Sequence, residues 1–336
     1  MKKEFVLFLL SVVISGNSFS QKERDIIVPN YLKSGDTIGL LAPSYKQNIN
    51  EIEFALKWLD SLGFKVLIGN CMDTKKSSLY SGTEEERLAD FQSMLDNPSV
   101  KAIMATRGGY GALKLIDRLD FTRFNQHPKW LCGFSDITCF HSHLNKVYRT
   151  ASIHSVMPFI ITPENCNNEA AQSLIKALKG EPLQYDISPN SYNRNGHAEG
   201  ELIGGNLSLL VSLTGSISEM EFDGKILVIE DCDEYYYHID RMLTELRRAG
   251  KLEHLAGLIV GEFVRLKEIQ TDGVVMGKKI EEIVLENCRD YHYPILFNAP
   301  VGHVRNNYAL RLGCLCQMEL GENCVIRVEN SSSLNK

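Results

Sequence analysis

The sequence predicts an α/β fold. We expect an N-terminal doubly wound, mostly parallel sheet with helices on both faces, plus a smaller C-terminal α+β, barrel-like domain. Two patterns carry that expectation. From residue 25 to about 145, short apolar runs alternate with stretches of helical apolar spacing, the mark of parallel β-α units. Beyond residue 198, shorter apolar runs follow one another with few helical stretches between them. A length of 336 residues suits two domains better than one.

In chain order, 36–43 reads as a buried strand running into a turn. Residues 50–62 have helical spacing through Ile52, Ala55, Trp58 and Leu59, with Gly63 as the stop. A strand at 64–69 follows, then a helix at 83–94 capped by Thr83 with glutamates in its first turn. Strands at 100–105 and 129–133 alternate with helices at 111–119 and 137–145. The segment 161–197 is rich in Asn, Pro, Ser and Gly and reads as a linker with one helical stretch near 170–178. These readings place the N-terminal domain at 25–160 and the C-terminal domain at 198–330. In the latter, strands are expected at 200–203, 225–229, 257–260, 294–298, 314–320 and 324–328, with helices at 238–249 and 277–288.

Composition narrows the function. Lys and Arg number 36 against 42 Asp and Glu, a net charge of −6. Hydrophobic residues at 44% and charged residues at 23% exclude a disordered or fibrous chain. The mild acidity argues against nucleic acid as a partner. The N-terminus has the layout of a secretory leader: Met1-Lys2-Lys3, an apolar run from Phe5 to Ile14, then small and polar residues. We expect cleavage near Ser20, a periplasmic location, and no stable membrane insertion once the leader is gone. The nine cysteines are scattered, with no C-x-x-C pair, and read as small core residues rather than a disulfide framework or zinc site.

Five motifs could carry chemistry. Gly133-Phe134-Ser135-Asp136-Ile137 puts a serine in a sharp turn between a strand and a helix, the setting of a nucleophile elbow, although the last glycine of G-x-S-x-G is absent. The competing reading is an ordinary helix cap at Ser135 or Asp136. Arg107-Gly108-Gly109-Tyr110-Gly111 allows close backbone approach to a ligand but matches neither a P-loop nor a dinucleotide fingerprint. Gly204-Gly205-Asn206-Leu207-Ser208 is a similar junction. Glu230 leads a carboxylate cluster at the end of an apolar strand, usable for acid–base work or for metal. His303 sits beside Gly302 in a polar turn, where histidine is the natural general base. His141 and His143 are spaced to point apart on a helix and do not suggest metal.

The order of these motifs resembles the LD-carboxypeptidase family of serine peptidases, which also contains the microcin-immunity peptidases. The resemblance runs from about residue 35 to 328. It implies a Ser-His-Glu triad of Ser135, His303 and Glu230, with no cofactor and no metal. It further implies oxyanion or substrate contacts from Gly108, Gly109, Asp136 and Asn206, with the site between the domains. The implied reaction cuts an L-to-D amide bond of murein tetrapeptide, a small peptide substrate, and releases terminal D-alanine. A homodimer is implied as well. The alternative within the family is hydrolysis of a peptide-nucleotide or other acyl conjugate. Family members are usually cytoplasmic, so the leader departs from the pattern. A non-catalytic periplasmic binding protein and a metal-dependent hydrolase are the competing classes.

Overall fold

The computed structural model describes residues 25–73, 79–270 and 274–331. The expected leader lies outside the described residues. In the first half, five strands are separated by helices: β1 (Thr37–Leu41), α1 (Glu53–Ser61), β2 (Lys65–Ile68), α2 (Glu84–Asp96), β3 (Val100–Ala105), α3 (Leu113–Ile116), α4 (Thr122–Gln126), β4 (Trp130–Gly133), α5 (Thr138–Tyr148) and β5 (Ser152–His154). Local chemistry sets the boundaries. Thr83 and Glu86 form a reciprocal capping box at the start of α2.

The chain continues through α6 (Glu169–Lys179), β6 (Leu183–Ile187), β7 (Gly196–Asn206), α7 (Leu207–Ser212), β8 (Ile226–Cys232), α8 (Tyr236–Arg248), β9 (Gly257–Val264), α9 (Ile280–Asn287) and β10 (Ile295–Leu296). It ends with β11 (Leu310–Leu312), β12 (Leu315–Leu320) and β13 (Cys324–Val328). Asn168 caps α6 by accepting from the Ala171 N–H, and Gly180 closes it at φ +77°.

Two sheets result. The first has the order β11-β5-β4-β3-β1-β2. Its strands β1 to β5 are parallel, as the alternation predicts, and β11 adds an antiparallel edge. The second has the order β10-β9-β8-β7-β12-β13-β6. Its β7-to-β10 half is parallel, and its β12, β13 and β6 half is antiparallel. The fold class is the expected mixed α/β one, but the second sheet is open rather than barrel-like. Its edges, β10 and β6, are separated by five strands, and helices α7, α8 and α9 cover its parallel half through a shared core around Ile229, Ile239 and Ile283. The stretch read as a linker contains α6 and the edge strand β6.

The strands of both sheets contribute to one continuous core: Ile38, Trp130 and Ile153 belong to the same buried cluster as Leu202, Ile226 and Met318. The nine cysteines are unpaired, and eight of them are buried. Among the described residues no helix is long and apolar enough to cross a membrane.

Candidate active site

The parallel strands β4 and β8 end close together, and the site grows from those ends, where open α/β sheets bind their ligands. All four residues of β4 are buried. Gly133, the last of them, has φ +152°, and Ser135 then adopts φ +64°, a conformation that costs energy in a residue with a side chain. A helical turn over Ser135–Ile137 leads directly into α5. Neighbours hold the strained corner. The Gly133 carbonyl accepts from the Ser155 N–H at 3.1 Å and from His141 Nε2 at 3.0 Å. The Asp136 carboxylate accepts from Ser44 Oγ at 2.5 Å and from the Ala112 N–H at 2.9 Å. Burial pushes the pKa of that carboxyl up against those hydrogen bonds.

Glu230 ends the apolar stretch of β8 and is completely buried. His303 arrives from the loop between β10 and β11. Its Nδ1 lies 2.7 Å from Glu230 Oε2, and its Nε2 lies 2.9 Å from Ser135 Oγ. A carboxylate only accepts, so the proton sits on Nδ1 and the Nε2 lone pair faces the serine hydroxyl. Backbone packing fixes this register. Gly302 has φ +120°, and a Cβ there would stand 2.8 Å from Glu230 Cβ and Oε2. The Gly302 N–H donates to Asn307 Oδ1 at 2.9 Å, and the same oxygen accepts from His154 Nε2 at 3.1 Å. The Phe134 ring abuts the His303 ring edge-on, with 4.9 Å between centroids. A serine, a histidine and a buried carboxylate in this order can take the proton from the serine hydroxyl and hold it.

Ser135 and His303 open into a cavity of about 410 Å³. Gly108 and Gly109 form part of its wall. A Cβ on Gly108 would lie 3.1 Å from Ser135 Cβ, so a side chain there would push the loop and the serine apart by a few tenths of an ångström. Gly109 has φ +120° and leaves room for the Tyr45 ring. Asp136 has its carboxyl engaged by Ser44 and Ala112 and presents no side-chain group to the cavity wall. Asn206 does not line this cavity. Its Oδ1 caps α7 by accepting from the Leu209 N–H, and its Nδ2 donates to Asp231 Oδ1 at 2.9 Å. Burial, and then the charge of Glu230, push the Asp231 pKa up to about 6. Sequence reasoning assigned no role to Arg107, Tyr45, Phe159 or the ion pair between Arg265 and Asp233, all of which line the cavity. Arg107 carried a signal, its place ahead of Gly108; Arg265 carried none, being 130 residues from Ser135 in sequence.

Residues 38–155 match the LD-carboxypeptidase N-terminal domain, and residues 199–318 match the LD-carboxypeptidase C-terminal domain. The chain belongs to the LD-carboxypeptidase family. A probable murein peptide carboxypeptidase of Bacillus subtilis is 32% identical over 89% of this chain and 93% of its own length. The microcin C7 self-immunity protein MccF of Escherichia coli is 25% identical over 91% of this chain and 96% of its own. The crystal structure of muramoyltetrapeptide carboxypeptidase from Oxalobacter formigenes superposes with a TM-score of 0.78 at 24% identity, covering 88% of this chain and 100% of that one. Family membership makes the chain a peptidase-class hydrolase.

Proposed function

We propose that this chain is a serine-type LD-carboxypeptidase that releases the terminal D-alanine of murein tetrapeptides through Ser135, His303 and Glu230. The single observation that carries the reading is the unbroken run from Ser135 Oγ through His303 to Glu230, at 2.9 and 2.7 Å. Ser135 Oγ attacks the scissile carbonyl carbon as its proton passes to His303 Nε2. Glu230 stabilises the imidazolium, and backbone amides of Asp136 and the Gly108–Gly109 loop face the developing oxyanion. Such donors are worth about 3 kcal/mol each in comparable sites. His303 then protonates the leaving amine, the C–N bond breaks, and water hydrolyses the acyl-serine by the reverse proton path. We place the enzyme in the periplasm, as a homodimer.

Incubation with purified muropeptides, with products read by mass spectrometry, tests this reading. Loss of one alanine from tetrapeptide is expected, and Ser135→Ala should abolish it. Full activity in Ser135→Ala would overturn the assignment. The likeness to MccF and the aromatic Tyr45 and Phe159 on the cavity wall favour one alternative, hydrolysis of peptide-nucleotide or other acyl conjugates. Cleavage of such conjugates with indifference to muropeptides would decide for it.

A further inference from the structure

We propose that Arg107 recognises the free α-carboxylate of the substrate's C-terminal residue and so restricts the enzyme to chain ends. The inference rests on Ser135 being the nucleophile. Arg107 lines the same cavity as Ser135 and His303 and directly precedes Gly108, the glycine pressed against Ser135. In an exopeptidase substrate the terminal carboxylate carbon is two bonds beyond the scissile nitrogen. It therefore lies within about 4 Å of the attacked carbonyl carbon, well inside a cavity of this size.

The charge inventory of the cavity singles out this residue. Arg265 also lines it, but its guanidinium is committed to Asp233 through contacts of 2.8, 3.1 and 3.2 Å. Glu230 is buried behind His303. Arg107 donates to one backbone carbonyl, Lys46 O, at 3.2 Å and rests 5.5 Å from the centroid of the Phe159 ring. Among the described residues no carboxylate pairs with it. A guanidinium has five N–H donors in a fixed fork that matches a carboxylate. The Lys46 carbonyl and the Phe159 ring hold that fork in place and leave most of its donors for a ligand. A bound carboxylate would neutralise Arg107, which among the described residues of the cavity wall is the cation that lacks a counterion.

The test uses one peptide made with a free C-terminal carboxylate and with a C-terminal carboxamide. The wild-type enzyme should prefer the acid in kcat/KM by about a hundredfold, the value of one charge-assisted bidentate contact. Arg107→Gln should bring that ratio to within a few-fold of unity by losing activity on the acid alone. Arg107→Lys should retain part of it, and Arg265→Gln should leave it intact. A ratio unchanged in Arg107→Gln, or abolished by Arg265→Gln, would overturn the proposal. Equal loss on both peptides with an unchanged melting temperature would also overturn it, since that marks a positioning role. Labelling of Ser135 by a fluorophosphonate separates the two layers. A labelled wild type with no preference for the acid overturns the Arg107 assignment alone. A wild type that neither labels nor cleaves overturns the serine mechanism and Arg107 with it.

Discussion

Glu230 combines complete burial with a single hydrogen-bonding oxygen, because Oε1 has no partner among the described residues and Oε2 meets His303. In the proposed mechanism it orients one imidazole and stabilises its charge. Glu230→Gln keeps the shape but cannot favour the same tautomer as a carboxylate does. We expect kcat to fall by about 10³- to 10⁴-fold, with KM little changed, in steady-state assays on a muropeptide; a loss below tenfold would refute the role. Gly108→Ala tests the other side of the serine. Gly108 is not in the left-handed region, so alanine brings no backbone strain, yet its methyl would sit 3.1 Å from Ser135 Cβ and 3.2 Å from Oγ. A shift of a few tenths of an ångström in the nucleophile should cost at least tenfold in kcat while the melting temperature holds. These residues were legible in sequence because each stands where an apolar strand runs into a turn. Asn206 shares that signature and yet serves as a helix cap bonded to Asp231. A strand-end position does not say which way a side chain turns.

At the scale of elements, the unit that presents Ser135, the proposed nucleophile, is β4, its corner and α5. His141 on α5 braces that corner from beneath. Its Nε2–H must donate to the Gly133 carbonyl, so Nδ1 accepts from Ser152 Oγ at 2.8 Å. Burial lowers the His141 pKa from 6.5 to about 3. The unfolded chain therefore takes up this proton first as pH falls. The contribution of His141 is full above about pH 6.5 and is lost as pH drops toward 3. Asp231 acts in the opposite sense. Its carboxyl is raised from 3.8 to about 6, so its contribution is full below 3.8 and is lost as pH rises to 6. The difference between wild type and His141→Gln isolates the histidine. Between pH 7.5 and 5, urea unfolding should show the wild type losing about 2 kcal/mol more than the variant, at ~1.4 kcal/mol per pH unit below 6.5. Parallel pH dependences would remove His141 from this role. The sequence revealed elements of this unit readily, since helices with caps and strands of four or more buried residues leave periodic traces. It did not reveal β5, β6 or β11. β5 and β11 span three residues each, and β6 alternates buried and exposed positions inside a stretch whose composition reads as a linker.

For the whole molecule, the proposed mechanism requires the end of β4 and the end of β8 to hold a separation set by hydrogen bonds of 2.9 and 2.7 Å, so the two sheets must not move apart. Several polar contacts join them. The Asn206 N–H donates to Thr138 Oγ1 at 3.0 Å, linking the end of β7 to the start of α5. Glu201 on β7 receives Arg149 at 3.0 Å, Lys225 at 2.8 Å and Asn145 at 2.7 Å. Burial alone would raise the Glu201 pKa, but these donors hold it below the ordinary value. A covalent tie is the return of the chain into the first sheet as β11, just before β12 enters the second, a crossing that local sequence patterns cannot register. Arg311 on β11 is completely buried. It donates to the carbonyls of Lys176 at 3.0 Å, Ala177 at 3.2 Å and Glu181 at 2.6 Å around the end of α6, and to Glu329 beyond β13 at 3.3 Å. Its guanidinium also lies 5.3 Å from the centroid of the Tyr31 ring. A cation there complements the negative end of the α6 dipole and gives the Lys176 and Ala177 carbonyls a second donor beside the Glu181 and Gly180 N–H groups. Arg311→Met fills similar volume but removes four hydrogen bonds and the cation at the end of α6. It should cost about 1–3 kcal/mol in urea unfolding. Arg311→Lys keeps the charge but not the planar fork and should fall between the two. Because Arg311 touches none of the reacting groups, kcat of the folded fraction should stay within a few-fold of wild type. A Met variant within 0.5 kcal/mol of wild type would mean that apolar packing alone holds the sheets together.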